Sequence, residues 1–393
     1  MNMNIKYFDR MKLNMKIAAM SALCCMTACG QKYEKPSEGS ATGFALSFFR
    51  SVNEQAGKAG NVVVSPYSAG AALSMLAEGA AGETRMELDM ALNGCLFKDV
   101  DLGGNDTVVV RSANSVWLDD GFSLKDSYSG TLRKDYGASV FSRDFSSPSA
   151  ADDINAWCSE NTEGKIEQIV DKLRPDIAMV LVNALYFNAP WQDAFNEELT
   201  ADRIFHGVSG NVPVRMMTRK AYYSYAEYDG CQLIKIPYSS GRYSMYVALP
   251  PAGMDMESVI PYLGESLYDA AMGKLARTEV VLSLPKFKLE TSMVLNDALM
   301  EMGVSRALSS RADFSGISAD RSLALDLVKQ KCYIEVSEKG TEAAAVTSVQ
   351  VRATALNPGR KPVAVMTVDR PFLFFIADND GAGILFAGKV VNL

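Results

Sequence analysis

Hydrophobic positions along the chain fall into three regimes. Residues 17–23 make a short apolar run, Ile17-Ala18-Ala19-Met20-Ser21-Ala22-Leu23, behind a stretch carrying Lys6, Arg10, Lys12 and Lys16 against one acid, Asp9. That run is too short to span a bilayer, which takes about 20 residues. Residues 30–43 are polar and rich in Gly, Ser and Lys, a composition that suits a tether. From Phe44 onward helical and strand periodicities alternate. Phe44-Ala45-Leu46-Ser47-Phe48-Phe49 opens a helical apolar face, Asn61-Val62-Val63-Val64 reads as a strand, and Ser65-Pro66 precedes a helix through Ala69–Ala77 that ends at the Gly79–Gly82 turn. The second half is dominated by runs rich in β-branched and aromatic residues: 181–187, 244–249, 280–284, 332–336, 371–376 and 384–388. Several are apolar on both faces, so their sheets must be covered. Asn379-Asp380-Gly381 joins the last two as a hairpin. No repeat and no later linker interrupts the pattern, which predicts a signal segment over 1–28, a tether over 29–43 and one α+β domain over 44–393.

One connection breaks this regularity. Between the strand at 332–336 and the apolar run at 371 lies a stretch too long for an ordinary loop, of the kind that is functional or disordered. Its composition argues against disorder. Positions 341, 343, 345, 347, 349 and 351 read Thr, Ala, Ala, Thr, Val, Val, and the alternate positions 342–352 read Glu, Ala, Val, Ser, Gln, Arg. A period of two, with small or β-branched residues on one side, is the pattern of a half-buried strand. Small side chains at Thr341, Ala343 and Ala345 would let such a strand slip between others, with Gly340 as a pivot at its base.

Composition narrows the chemistry. The 393 residues are 48% hydrophobic and 22% charged, with 39 basic against 46 acidic residues for a net charge of −7. Basic pairs such as Arg133-Lys134 and Arg219-Lys220 stay isolated, so nucleic acid is not the expected partner. A single histidine, His206, excludes a multi-histidine metal site, and its polar context reads as a surface or loop position rather than a catalytic one; no metal and no cofactor are expected. Beyond the signal segment, Cys95, Cys158, Cys231 and Cys332 are scattered without a CxxC, which points to buried free thiols. Met26-Thr27-Ala28-Cys29-Gly30 resembles the bacterial lipoprotein box, which implies acylation of Cys29 and a cell-envelope location on the outer membrane or cell surface of a bacterium. The alternative is a plain cleaved signal and a secreted protein.

Glu338-Lys339-Gly340-Thr341-Glu342-Ala343-Ala344-Ala345 closely resembles the hinge of the serpins, and Val368-Asp369-Arg370-Pro371-Phe372-Leu373-Phe374 resembles their carboxy-terminal signature. Asn61 to Ser68 is similar to the family's shutter segment, here Asn61, Ser65, Pro66 and Ser68, and Gly79-Ala80-Ala81-Gly82-Glu83-Thr84 to the turn after it. Ile154-Asn155-Ala156-Trp157 with Thr162-Glu163-Gly164-Lys165-Ile166 resembles the helix lying across the main sheet. Asn183-Ala184-Leu185-Tyr186-Phe187, with Trp191 and Phe195, resembles the central strand and the breach, and Leu284-Pro285-Lys286-Phe287 a further family strand. The resemblance implies the serpin fold: three β-sheets around a large sheet A, about nine helices, and an exposed reactive-centre loop over about 338–362. It also implies a monomer that inhibits proteases by a one-use trap, in which the cut loop inserts into the main sheet with the enzyme held as a covalent acyl complex. Such a protein is not an enzyme.

Counting along the loop from Glu338 as family members do places the cut bond at Thr354-Ala355, with Arg352 and Ala353 as neighbouring alternatives. A small β-branched residue suits an elastase-like serine protease, whereas Arg352 would draw a trypsin-like one and papain-like cysteine proteases are further targets. Position 330 departs from the animal pattern: Gln330 stands where a shutter histidine is usual, and its amide can both donate and accept toward Asn183. The rival reading is a non-inhibitory serpin acting as a binding or structural protein. Members of that kind carry bulky, charged or proline residues in the hinge, where this chain has Ala343, Ala344 and Ala345. A penicillin-binding or β-lactamase reading fails because Lys339-Gly340-Thr341 inverts K-T-G and Ser337 lacks a lysine three residues on.

Overall fold

The computed structural model describes residues 39–98, 102, 108–228, 230–319, 323–341 and 363–393. The first helix, α1 (Ala41–Ala56), begins three residues before the apolar run at Phe44, because the hydroxyl of Ser40 accepts from the Gly43 N–H at 3.2 Å and caps it. The tether boundary expected at residue 43 therefore moves back into the polar stretch. After β1 (Val62–Val64) comes α2 (Pro66–Gly79), which Ser65 caps and Pro66 opens at its first turn. Its Ala, Gly and Ser residues let it lie almost wholly buried. Then follow α3 (Gly82–Ala91), β2 (Val109–Asp119), α4 (Asp126–Tyr136), β3 (Ser139–Arg143), α5 (Ser149–Asn161) and β4 (Met179–Pro190).

The second half is mostly strand, as its residue types require. It runs β5 (Ala201–Gly207), β6 (Gly210–Tyr228), β7 (Cys231–Pro237), β8 (Tyr243–Leu249), α6 (Glu265–Met272), β9 (Ala276–Pro285), β10 (Phe287–Val294) and α7 (Asn296–Glu301). The last elements are β11 (Leu327–Val336), β12 (Gly340–Thr341), β13 (Ala364–Thr367), β14 (Phe372–Asp378) and β15 (Gly383–Val390). The described residues thus hold seven α-helices and three short 3-10 turns. None of these helices is long and apolar enough to cross a membrane.

Six strands form the main sheet, in the order β10-β11-β12-β4-β2-β3, with β11 also pairing β4 directly. The smaller sheets implied by the family resemblance are joined by hydrogen bonds into one nine-stranded network. The cause is the length of β6, whose 19 residues pair with β9 along Met216–Tyr225 and with β7 along Ser224–Tyr228. Alternation along β4 gives the main sheet two apolar faces. Val180, Val182 and Ala184 meet α5 through Ile154 and Cys158, while Met179, Leu181, Leu185 and Phe187 face the large core shared with the second sheet. Under α5, Trp117 stacks on Phe141 with ring centroids 4.1 Å apart.

His206, expected on the surface or in a loop, is exposed on β5 with Nδ1 2.9 Å from Asn211 Oδ1. Among the described residues no two cysteines form a disulfide with each other; Cys158 and Cys332 are buried, but Cys95 and Cys231 are only half-buried, because their positions lie at the margins of the core. Burial pushes the Cys158 thiol up to about 12. In β15, Gly388 packs directly under the ring of Phe374, and a Cβ there would lie 2.1 Å from Phe374 Cε1. Gly388→Ala is therefore expected to destabilise the native form by about 1–3 kcal/mol, read as a lowered urea midpoint.

Candidate functional site

Where β4 and β11 meet, the main sheet is half closed. Over Val180–Leu185 and Leu327–Cys332 the two strands pair in parallel, in register Gln330 to Asn183. Beyond that, β12 enters between them: Thr341 pairs with Val336 of β11 and Ala189 of β4, and Gly340 with Pro190. Gly340 is required by this close approach, since a Cβ would sit 2.2 Å from the carbonyl oxygen of Ala189 and 2.6 Å from Pro190 Cα. The pivot expected from sequence is thus also a contact point with no room for a side chain.

The residues before β12 are gripped by the segment after β4. Three successive carbonyls each accept a bond from that segment: Ser337 O from the Trp191 indole N–H at 2.9 Å, Glu338 O from Phe195 N at 2.9 Å, and Lys339 O from Trp191 N at 2.9 Å. Trp191 is held by stacking on Tyr238, centroids 4.6 Å apart and planes at 11°, with Phe195 edge-on at 6.4 Å. The Tyr238 hydroxyl lies 2.7 Å from Thr341 Oγ1, and both residues are fully buried. Burial raises the Tyr238 phenol far above its ordinary value, so it stays a neutral hydrogen-bond partner.

Glu338 itself is buried, with Oε1 accepting from Thr200 Oγ1 at 2.9 Å and Oε2 2.8 Å from Lys286 Nζ. Burial pushes its carboxyl up. The Lys286 ammonium, its own backbone N–H and the Thr200 hydroxyl outweigh burial and hold it below the ordinary 4.5. Arg215 completes the corner by donating to Thr200 O at 3.1 Å.

Beneath this region, one rung across three strands is polar. Asn114 of β2 pairs with Asn183 of β4, which pairs with Gln330 of β11. The Gln330 amide donates to Asn183 Oδ1 at 2.6 Å and to Ser65 O at 3.0 Å, and its Oε1 accepts from Ser65 N at 3.0 Å. Asn183 donates to Ser68 Oγ at 2.5 Å and to Asn114 Oδ1 at 2.6 Å. Ser65 Oγ caps α2 by accepting from Ser68 N at 3.1 Å. All five residues are buried, so these groups are satisfied by one another and by Ser112, whose Oγ accepts from Asn114 at 3.1 Å.

The structure therefore brings together Ser65, Pro66, Ser68, Asn183 and Gln330, and separately Trp191, Glu338, Gly340 and Thr341. It does not bring Asn61 to either group. Asn61 Oδ1 accepts from Val391 N at 2.8 Å and Asn392 N at 3.0 Å, tying β1 to the segment after β15. That correction has a simple cause: Asn61 precedes β1, whereas Ser65 and Ser68 follow it and reach the main sheet. Glu342, Ala343, Ala344, Ala345, Arg352, Ala353, Thr354, Ala355 and the lipidation candidate Cys29 lie outside the described residues. Sequence reasoning missed Asn114, Thr200, Tyr238 and the Lys286 partner of Glu338. Asn114 carried a signal, an amide in the middle of a strand; the others come from distant segments and carried none.

A family model described as "Serpin (serine protease inhibitor)" matches residues 39–393, and the chain belongs to the serpins, inhibitors of proteases rather than catalysts. An uncharacterized serpin-like protein of Thermococcus kodakarensis is 35% identical, the match covering 91% of this chain and 86% of its own. The leukocyte elastase inhibitor of Sus scrofa is 33% identical over 89% of this chain and 97% of its own. Among solved structures, the native state of the thermophilic serpin tengpin superposes with a TM-score of 0.82 at 28% identity, covering 93% of this chain and 96% of its own.

Two outcomes test the site. Gln330→Ala strands Asn183 Oδ1 and the Ser65 N–H and carbonyl in the core, and is expected to cost about 2–4 kcal/mol, read as a lower urea midpoint; an unchanged midpoint would show that the amide rung does not hold the strands. Because the folded pKa of Glu338 is depressed, its stabilisation is present above about pH 4.5 and is lost as pH falls through the lower folded value. Glu338→Gln is expected to flatten that part of the acid limb of stability against pH, relative to wild type.

Proposed function

We propose that this serpin inhibits endopeptidases irreversibly, by loop cleavage and strand insertion, with elastase-like serine proteases as targets. The observation that carries this reading is β12, whose Gly340 and Thr341 already stand between β4 and β11 as the first rungs of a new central strand. Continuing that antiparallel register places Ala343 opposite Phe187, Thr347 opposite Asn183 and Val351 opposite Met179, the first residue of β4. The positions meeting the core face are then 341, 343, 345, 347, 349 and 351, the same small and β-branched set that the alternation singles out. Thr347 would arrive at Asn183 where Gln330 now bonds, a hydroxyl exchanged for an amide.

Energetics favours that movement once the loop is cut. An inserted strand of roughly a dozen residues, at a net ~1 kcal/mol per hydrogen bond, contributes on the order of 10 kcal/mol, comparable to the whole stability of a typical domain. Before cleavage, the parallel pairing of β4 with β11 and the Gln330–Asn183 bond must break first, so the closed form is held by a barrier. An acyl-enzyme formed at Thr354-Ala355 would be carried along by the inserting strand and distorted before water completes hydrolysis. The similarity of this chain to a leukocyte elastase inhibitor supports the choice of enzyme, as do the small residues around the bond. We place the protein, by the same reading, on the cell envelope through lipid at Cys29.

Thr341 is already buried against Tyr238, so a charge there would disturb the uncut form as well. The cleaner variant is Ala343→Arg, which must bury an unpaired guanidinium for insertion to proceed. It is expected to be cut as a substrate, leaving no SDS-stable complex with an elastase-like enzyme that traps the wild type. Nicked wild-type protein is expected to melt at least about 10 °C above the intact form; equal melting temperatures would remove the basis of the mechanism.

A further inference from the structure

Away from the seam, two acids meet where helices end. Glu54 stands in the last turn of α1 and Glu301 is the last residue of α7, and their carboxyl oxygens lie within hydrogen-bonding reach of each other. Folding alone disfavours this arrangement. Helix C-termini carry partial negative charge, and like charges in contact destabilise the elements that bear them. Both acids line a cavity of about 620 Å³, which Arg50 of α1 and Glu265 of α6 also face. From α3 and the turn after it the walls are Met90, Ala91 and Asn93, which carry no charge. On α7 itself Asp297 lies one turn back, and beyond its end Arg306 is engaged by Glu83 of α3 at 2.5 Å. One cation, Arg50, therefore shares the cavity with three acids.

Two carboxyl groups in such contact are held together by a shared proton. Removal from water, then the hydrogen bond to Glu54 and its charge, keep the Glu301 carboxyl above the ordinary 4.5, with Arg50 opposing. A raised folded value means that the folded form binds this proton more tightly than the unfolded chain. The pair thus costs stability at pH above the folded value, and the cost is relieved as pH falls through it toward 4.5. That is the opposite sense to Glu338.

What each helix holds gives the contact its reach. The end of α1 is pinned to β15 by Lys389 Nζ, which donates to Gly57 O at 2.8 Å. The start of α7 is bonded to the first residues of β11. Leu295 N donates to Val328 O at 2.9 Å, and the Asn296 amide donates to Asp326 O at 2.8 Å and accepts from Val328 N at 3.0 Å. We infer that Glu54 and Glu301 form an acid-tightened clasp between α1 and α7, which fixes the start of β11 to the second sheet more firmly in mildly acidic surroundings than in neutral ones. The clasp stands without the inhibitory reading. Its effect on parting β11 from β4 rests on that reading, and adds to it a dependence of strand entry on pH.

The test compares uncut wild type, Glu301→Gln and Glu54→Gln in urea at pH 7.5 and pH 5.0. A Gln amide donates to the remaining carboxylate at either pH and so keeps the clasp closed. The wild-type midpoint is expected to rise by roughly 0.2 M on acidification, while both variants begin near the higher value and change by less than half as much. Every other titrating group, His206 included, is common to the three proteins, so the difference isolates the pair. Uptake of a synthetic peptide with the sequence of residues 341–352, followed on native gels, is expected to slow about twofold in the wild type over the same interval and to stay level in the variants. Equal pH slopes of the midpoint in wild type and variants overturn the clasp. Flattened midpoints with peptide uptake that responds to pH alike in all three overturn its link to β11. A wild type that takes up no peptide at either pH overturns the strand-insertion reading instead, and the midpoints still decide the clasp.

Discussion

The structure depends on how β4 and β11 are kept together. They are parallel neighbours, joined along Val180–Leu185 and Leu327–Cys332, and pinned from beneath by the Gln330 amide between Asn183 and Ser65. Every group in that rung is buried, so an opening that separates the strands strands several polar atoms at once, each costing about 1–3 kcal/mol until water or a new strand arrives. Such a closure resists opening strongly at its start, yet is replaced without loss once another backbone fills the gap. That asymmetry is what a kinetically held state requires. The same amide bonds this rung without imidazole, since Gln330 donates twice and accepts once within the geometry its strand imposes.

At the upper end of the seam the chemistry is different. Aromatic stacking of Trp191 on Tyr238 and the backbone bonds to Ser337, Glu338 and Lys339 hold β12 at the entrance. The Glu338–Lys286 pair adds a charge-assisted bond, weakened by the partial exposure of Lys286, whose side chain is 40% exposed, against 8% for Glu338. The grip is strong enough to seat two residues between the strands and leaves the polar rung below intact. One sheet thus holds β4 and β11 apart around β12 at its upper end and paired directly with each other below.

Much of this was legible in the chain. Strands such as 332–336 and 384–388 and the hairpin at Asn379-Asp380-Gly381 announced themselves because their apolar periods are unbroken and their turn residues specific. Gln330 was readable as a partner for Asn183 from its hydrogen-bonding capacity and from where the family places a histidine. Asn61 was misplaced because neighbours in sequence need not share a site when a strand lies between them. Lys286 and Tyr238 were invisible, since a lysine in a Leu-Pro-Lys-Phe stretch and a tyrosine after a β-strand look like many others until distant segments meet.

The sequence by itself determined the alternation that makes residues 341–351 fit to be a strand and the apolar runs that build the sheets. These are local properties, set by side-chain volume, period and polarity. Tertiary structure alone decided that Gly340 and Thr341 stand between β4 and β11, that Gly340 has no space for a Cβ under Ala189, and that Asn114, Asn183 and Gln330 share a rung. Those facts depend on register between strands up to 216 positions apart along the chain, and register is fixed by packing and burial across the whole sheet rather than by any one segment.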